Sequence, residues 1–300
     1  MKATASVWET TRRCEGIAWR DWARSYAAAL DGRLAEAWPF RFGADGRSLL
    51  ENGEVVWQAQ EDESLLPVAE WYITREWARR LFEHYVVCHA GVLERGGEAL
   101  LLTGEAGAGK STLSLALVRQ GWRYLGDEYA VIDPRTLEVL PFPNALCVKN
   151  GASGALRQAD RDFDAIPYPE RFPGRMRGAV AGFPRPRIVP PPGRRFPIRW
   201  IVFLTGMGAT GTRAEDVPPS QAAAALFNAT AGLTDAASFR AIAAIARQAE
   251  TLRLGRFNLE EMAQMLAQTA GFSRLEDIRV GTPIGEPPAM AIWGQKGVRV

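Results

Sequence analysis

Residues 89–112 read HAGVLERGGEALLLTGEAGAGKST, and this stretch decides the fold of the chain. Its second half, residues 104–111 (GEAGAGKS), matches the pattern GxxxxGK[ST]; an apolar run precedes it and a helix-like run, KSTLSLALVRQ, follows it. A strand, a glycine loop and a helix in this order are typical of a phosphate-binding loop, because the glycines let successive backbone N–H groups converge on a phosphate. The stretch therefore predicts an α/β core that binds a nucleotide.

The same loop predicts which residues bind ATP and Mg²⁺. The Lys110 ammonium is expected to reach the β- and γ-phosphate oxygens, and the Ser111 hydroxyl is expected to ligate Mg²⁺. The alternative is a glycine loop that has no ligand. The predicted ATP-binding residues of the loop are Gly104, Glu105, Ala106, Gly107, Ala108, Gly109, Lys110, Ser111 and Thr112.

A pair of acids follows the loop closely, in the strand-like run YLGDEYAVID. A carboxylate at the end of a neighbouring strand is where a nucleotide-bound metal needs a ligand, and Asp127 is the residue chosen for that role. Because adjacent residues of a strand point to opposite sides, Glu128 is expected to face an acceptor hydroxyl as the general base. The alternative is a solvated acidic turn.

A histidine precedes the loop by fifteen residues. His89 lies on an apolar run, VVCHAGVLER, that leads through the Gly96-Gly97 turn into the strand of the loop. Such a histidine would be a satisfied core residue, or it would lie near the γ-phosphate and the acids and there tune a carboxylate pKa or contact phosphate. Both interpretations are open on the residues alone.

The rest of the chain predicts three parts. Residues 1–63, rich in Trp, are expected to form a small α+β appendage; residues 64–270 the catalytic domain; and residues 271–300 a tail. Within the catalytic domain, a helix is expected to start at Ser64, two alanine-rich helices to span about 219–230 and 235–251, and the Pro-, Gly- and Arg-rich segment before the strand IRWIVFLTG to be an irregular loop.

Composition narrows the function classes. Apolar residues make up 47% and charged residues 23% of the 300 residues, as in folded globular proteins, and a net charge of +2 gives no field that would attract nucleic acid. No stretch of 18 consecutive apolar residues and no signal-peptide core occurs, so neither export nor a membrane partner is expected. Three scattered cysteines suit a reducing cytoplasm.

The combination of histidine, hairpin, phosphate loop and acid pair resembles HPr kinase/phosphorylase, whose catalytic domain is similar to the C-terminal part of PEP carboxykinase. The closest resemblance is to the HprK-related serine kinases found beside lasso-peptide and PqqD-like peptide-modification genes. The text that carries it is LLPVAEWYITREW, HAGVLERGGEALLLTGEAGAGKSTL, GWRYLGDEYAVIDP and LPFPNALCVKN. The resemblance implies an α/β fold with a P-loop kinase core, ATP and Mg²⁺ as cofactors, and a serine-bearing peptide or small protein as acceptor.

The resemblance also implies roles for single residues. His89 matches the family's active-site histidine, Asp127 its first aspartate and Glu128 its proton-accepting second aspartate, with one methylene more. Arg194 is the best match for the family's loop arginine, with Arg175 or Arg177 as alternatives. Lys149 falls in the region where true HPr kinases carry a further metal-binding glutamate, so reverse phosphorolysis is not implied, and a homo-oligomer such as the family's hexamer stays open.

The leading hypothesis is therefore a kinase that transfers the γ-phosphoryl group of ATP to a serine hydroxyl. Lys110, together with Lys149 or an arginine of residues 171–195, would neutralise the charge of the transition state. Two alternatives remain: a PEP-carboxykinase-like or small-molecule kinase, since one fold serves several acceptors, and a nucleotide-binding regulator without catalysis.

Overall fold

The computed structural model describes the strands and helices of the core together with parts of the remaining chain. The described residues are 8–10, 42–45, 48–51, 53–58, 72, 75, 78, 79, 81–142, 144, 146, 148, 149, 163, 164, 180–182, 185, 186, 194–207, 213–232, 235–257, 259, 262, 263 and 266. The predicted tail, and most of the helix predicted to start at Ser64 and of the Pro-rich loop, lie outside these residues.

A four-stranded sheet forms near the N-terminus. Its strands, in spatial order, are β1 (Trp8–Thr10), β2 (Phe42–Asp45), β3 (Ser48–Glu51) and β4 (Glu54–Gln58). The Tyr72 hydroxyl donates a hydrogen bond of 2.7 Å to the Glu51 carboxylate, which ties this sheet to the helix that follows. Residues 72, 75, 78, 79 and 81 are helical, as the sequence predicts for the segment after Ser64.

The central sheet has ten strands and is mostly antiparallel. The bounds are β5 (Val86–Cys88), β6 (Ala90–Arg95), β7 (Glu98–Gly104), β8 (Arg123–Gly126), β9 (Ala130–Ile132), β10 (Glu138–Leu140), β15 (Phe196–Met207), β16 (Arg213–Asp216), β17 (Thr230–Gly232) and β18 (Glu250–Phe257). The main path of the sheet runs β17, β5, β9, β10, β15, β7, β6, β8, with β18 beside β15 and β16 beside β18. The pairs β7 with β15 and β15 with β18 are parallel.

Helices cover both faces of this sheet. The three helices with described bounds are α1 (Lys110–Arg119), α2 (Pro219–Asn228) and α3 (Ala236–Gln248). The side chains of β7 alternate between the two faces, as a strand requires: Leu100 and Leu102 pack with α1, whereas Ala99 and Leu101 pack with α2 and α3. The chain is thus a mixed α/β protein in which β7, the strand before the glycine loop, is buried between two helical layers.

Several predicted elements are confirmed. The Gly96-Gly97 hairpin joins β6 to β7, the run after the glycine loop forms α1, and the two alanine-rich helices appear as α2 and α3. The Asp235 side chain caps α3 by accepting the Ser238 N–H at 2.8 Å. Between residue 147 and β15 the described strands are short: β11 (Val148–Lys149), β12 (Phe163–Asp164), β13 (Val180–Gly182) and β14 (Arg185–Pro186), of which β13 and β14 lie in the Pro-rich segment. No helix in the described part of the chain is long and apolar enough to span a membrane.

Two predicted strands are each two strands in the structure. The run VVCHAGVLER breaks at His89, so that β5 pairs with β9 and β17 while β6 pairs with β7 and β8. The run RYLGDEYAVID breaks at residues 127–129, so that β8 pairs with β6 while β9 pairs with β5 and β10. Each break lets the chain change partners within the sheet.

An ion-pair cluster holds the turn between β9 and β10 against the start of β15. The Asp133 side chain is 1% exposed and accepts hydrogen bonds from the guanidinium groups of Arg135 and Arg195. Burial acts to raise the pKa of Asp133, but the hydrogen bonds from Arg135 and Arg195 outweigh it and lower the pKa to about 2. The buried carboxylate is therefore charged at neutral pH.

This cluster predicts an acid-sensitive contribution to stability. Because the pKa of Asp133 is lower in the folded than in the unfolded chain, its stabilisation is complete above about pH 4 and is lost as the pH falls toward about 2. We expect Asp133→Asn to lower the free energy of unfolding at neutral pH by about 2 kcal/mol and to flatten its slope between about pH 4 and 2. Urea denaturation across that range measures both effects.

The exposed Asp216 provides the matched control, since Asp216→Asn makes the same change at the surface. Equal losses in the two variants, or an unchanged pH slope in Asp133→Asn, would contradict the assigned role of the cluster.

Candidate functional site

The predicted phosphate loop, residues 104–111, starts where β7 closely approaches its parallel neighbour β15. Gly104 pairs with Leu204 of β15 and has a φ of 146°. A Cβ at Gly104 would lie 2.2 Å from the Leu204 carbonyl oxygen, so no other residue fits without moving the backbone of β15. The chain leaves the sheet at this point, and residues 105–107 are exposed to solvent.

Lys110 closes the loop on itself. It is the first residue of α1, its side chain is buried, and its ammonium donates hydrogen bonds to the carbonyl oxygens of Gly104 at 2.7 Å and Glu105 at 3.1 Å. The first turn of α1 contains no acidic residue, so the positive end of the helix dipole is not offset there. A positive ammonium and a helix N-terminus therefore face the same loop, as an anionic phosphate requires.

Ser111 joins the loop to the acid pair. Its hydroxyl donates a hydrogen bond of 2.7 Å to Oδ2 of Asp127, whose side chain is 1% exposed. Having given its hydrogen to the carboxylate, the Ser111 oxygen keeps its lone pairs for a cation. The structure thus brings together the two residues that were predicted as metal ligands.

The acid pair does not lie on a strand, so the expectation that the two side chains alternate across a strand is wrong. Residues 127 and 128 form a bend between β8 and β9, and Glu128 has a φ of 67°. The side chain of Asp127 turns inward to Ser111, while that of Glu128 is only partly buried. Different exposure, rather than strand alternation, separates the two carboxylates.

The backbone of His89 is held between two elements. Its N–H donates to the carbonyl oxygen of Ala229 at 2.7 Å, and its own carbonyl accepts from the Thr103 hydroxyl at 3.3 Å. Its imidazole donates a hydrogen bond to the backbone carbonyl of Glu128. The predicted active-site histidine therefore contacts the acid bend directly.

The electrostatics of His89 favour a neutral ring. Burial lowers its pKa most, the nearby Lys110 ammonium lowers it further, and the hydrogen bond to Glu128 opposes both; the resulting pKa is about 4. A neutral imidazole at physiological pH suits a residue that orients the backbone of the bend better than one that carries charge to a phosphate.

Arg194 does not join this cluster. It stacks its guanidinium over the Phe196 ring, 5.0 Å from the centroid, and Phe196 pairs with Val139 at the start of β15. Leu204, which pairs with Gly104, lies eight residues further along β15, or about 26 Å at 3.3 Å per residue. The alternatives Arg175 and Arg177 lie outside the described residues, and of Lys149 the structure describes only its backbone in β11.

The structure adds residues that sequence reasoning missed. Asn144 is buried, and its side-chain oxygen accepts the Asp127 N–H at 2.9 Å. Burial and the neighbouring Glu128 carboxylate raise the pKa of Tyr129 well above its usual range, and the Arg75 charge opposes this shift. Asn144 stands in the run LPFPNALCVKN, but nothing in that run indicates a contact seventeen residues back.

The donor atoms suit magnesium. The Ser111 hydroxyl and the Asp127 carboxylate are oxygen ligands, which Mg²⁺ prefers, and phosphates and water normally complete its shell in nucleotide sites. Among the described residues no group of three His, Cys, Asp or Glu side chains could hold a metal without such additional ligands. The pair therefore fits a metal that arrives with a nucleotide.

Comparisons with known proteins add a likeness to solved structures. No protein-family model matches the chain, and no curated protein matches it. A solved structure described as the Hpr(Ser) kinase/phosphatase from Coxiella burnetii is similar, with 15% sequence identity and a TM-score of 0.27 over 64% of this chain and 97% of that chain. A TM-score at this level carries no argument, so the function is inferred from the residues of the site.

The buried position of His89 predicts its titration. The chain has two histidines, so in His84→Gln the remaining imidazole signal in a ¹H–¹³C NMR spectrum belongs to His89. We expect that signal to stay unchanged as the pH falls from about 8 to 5 and to shift with a pKa of about 4. Binding of ATP beside Lys110 should raise this pKa, because the phosphates add negative charge. A titration near the ordinary value of 6.5 without nucleotide would contradict the burial of the ring.

Proposed function

We propose that this protein is an ATP- and Mg²⁺-dependent kinase, with a P-loop core of the HPr kinase and PEP carboxykinase type, that transfers the γ-phosphoryl group to a serine hydroxyl of a peptide or small protein. The observation that carries the proposal is the 2.7 Å hydrogen bond between Ser111 and Asp127. It joins the first turn of α1 to the acid bend, sixteen residues further along the chain. A glycine loop that binds no ligand has no need of a carboxylate at this position.

Lys110 and the loop would bind the phosphates. The Lys110 ammonium now donates to two loop carbonyls, and in the complex it exchanges them for the β- and γ-phosphate oxygens. The backbone N–H groups of the exposed loop and the start of α1 supply further donors. Ser111 and Asp127 would hold Mg²⁺, which when bound neutralises part of the phosphate charge.

Glu128 would act on the acceptor. Its partly exposed carboxylate takes the proton of the serine hydroxyl as the serine oxygen forms a bond to the γ-phosphorus and the bond to the β-phosphate oxygen breaks, which releases ADP. Tyr129, whose raised pKa keeps its hydroxyl protonated, offers a hydrogen-bond donor beside that carboxylate. His89 holds the carbonyl of Glu128, which orients the bend.

A second positive group, in addition to the Lys110 ammonium, would come from a part of the chain outside the cluster of Lys110, Ser111, Asp127 and His89. Because Arg194 lies at the far end of β15, Lys149 or an arginine of the preceding segment is the better candidate for contacting the phosphates. The peptide acceptor, the tailoring of a precursor peptide and a cytoplasmic location belong to the same proposal.

The roles of Lys110 and Glu128 predict two different losses. Lys110→Ala should weaken ATP binding, because it removes the ammonium that faces the loop. Glu128→Gln keeps the shape of the side chain but removes the base, so we expect it to bind ATP as the wild type does and to transfer phosphate at least about 100-fold more slowly. Calorimetry measures binding, and γ-labelled ATP with a library of serine-containing peptides measures transfer.

Glu83→Gln, at an exposed glutamate outside the cluster, is the matched control and should retain both activities. Full transfer by Glu128→Gln would remove the base from the proposal. Transfer to free serine or another metabolite but to no peptide would favour the small-molecule kinase, and tight ATP binding without any transfer would favour a nucleotide-binding regulator.

A further inference from the structure

A short segment after β10 runs beside the end of β8. The Phe142 N–H donates to the Leu125 carbonyl at 2.8 Å, and Phe142 forms a parallel bridge with Gly126. The two backbones approach so closely that a Cβ at Gly126 would lie 2.6 Å from the Phe142 carbonyl oxygen. This contact fixes the chain just before Asn144.

Asn144 is fixed by a second contact of its own backbone. Its carbonyl oxygen accepts a hydrogen bond of 2.8 Å from the hydroxyl of Tyr124, a buried residue of β8. With its carbonyl held by β8 and its side chain 4% exposed, Asn144 has little freedom to move away from the end of that strand.

The side chain of Asn144 bonds the first residue of the acid bend. Its Oδ1 accepts the Asp127 N–H at 2.9 Å, one residue beyond the last pair of β8 with β6. Loss of this acceptor would leave a buried N–H without its bond or would let the bend shift toward another acceptor. The bond therefore sets where the backbone of Asp127 lies.

We propose that Asn144 is a positioning residue for the metal–nucleotide site, holding the Asp127 backbone so that its carboxylate meets the Ser111 hydroxyl. Two bonds form the chain of contacts, from Asn144 Oδ1 to the Asp127 N–H and from Asp127 Oδ2 to Ser111. The inference rests on the proposed function, because it assumes that Ser111 and Asp127 hold Mg²⁺. Partners that orient a metal ligand typically contribute 10–100-fold to metal affinity.

The test compares nucleotide binding with and without metal. Calorimetry gives the affinity for ADP in excess Mg²⁺ and in EDTA, and the ratio of the two is the gain due to the metal. In Asn144→Ala we expect this gain to fall about tenfold or more while the affinity in EDTA stays within about twofold. Asn144→Asp keeps an acceptor oxygen of the same reach but adds a charge beside Asp127, so its measure is hydrogen exchange of the Asp127 amide, which should stay as slow as in the wild type.

A second measurement tests the Asn144–Asp127 bond without metal or nucleotide. Hydrogen exchange of the Asp127 amide, followed by NMR, should be faster in Asn144→Ala than in the wild type because its acceptor is gone. Tyr124→Phe is the control for a structural effect: it removes the bond to the Asn144 carbonyl but leaves the bond to Asp127. Because the bond from the Phe142 N–H to the Leu125 carbonyl still holds the segment beside β8, we expect Tyr124→Phe to lower the melting temperature and to keep most of the metal-dependent gain.

The outcomes separate this inference from the proposed function. A wild-type protein that binds ADP with no gain from Mg²⁺ overturns the metal site and the inference with it. A wild type that shows the gain and an Asn144→Ala variant that shows the same gain overturn the positioning role alone. If Asn144→Ala does not fold, Asn144→Thr, which fills more of the space with a side chain too short to reach Asp127, takes its place with the same expectations.

Discussion

The hydrogen bond from Ser111 to Asp127 connects the glycine loop with the acid bend, and it depends on how the surrounding structure places these two residues. Ser111 is placed by the turn from β7 into α1, which depends on the close approach of Gly104 to Leu204. Asp127 is placed by the end of β8 and by Asn144. Local structure alone does not bring the two residues together, since fifteen residues, including most of α1, separate them in the chain.

The sheet brings the site together because the start of β6 and the ends of β7 and β8 lie side by side. Antiparallel pairing sets the start of β6 beside the end of β7, where Ala90 faces Thr103, and beside the end of β8, where Val92 faces Gly126. His89 directly precedes β6, the phosphate loop follows β7, and the acid bend follows β8. Gly104 keeps the register of β7 against β15, because a residue with a Cβ at that position would meet the Leu204 carbonyl oxygen at 2.2 Å.

The parts that could be predicted from sequence are those that local patterns specify. The glycine loop with its flanking strand and helix, the β6–β7 hairpin and the two alanine-rich helices each follow from neighbouring residues. The breaks at His89 and in the acid bend could not, because a few polar residues inside an apolar run are also compatible with one continuous strand, and the chain breaks there to change partners in the sheet. Asn144 was missed for a similar reason, since its contact is fixed by the close packing of two backbones at Gly126.

The backbone conformation of Glu128 lowers the stability of the fold. With Leu137 in the turn between β9 and β10, Glu128 is one of two described non-glycine residues with a positive φ, a conformation that costs an ordinary residue about 1–2 kcal/mol and glycine almost nothing. Glycine or asparagine would relieve this strain, and the chain carries a glutamate instead. The position thus trades stability for a carboxylate, which is the pattern expected where selection acts on the side chain rather than on the turn.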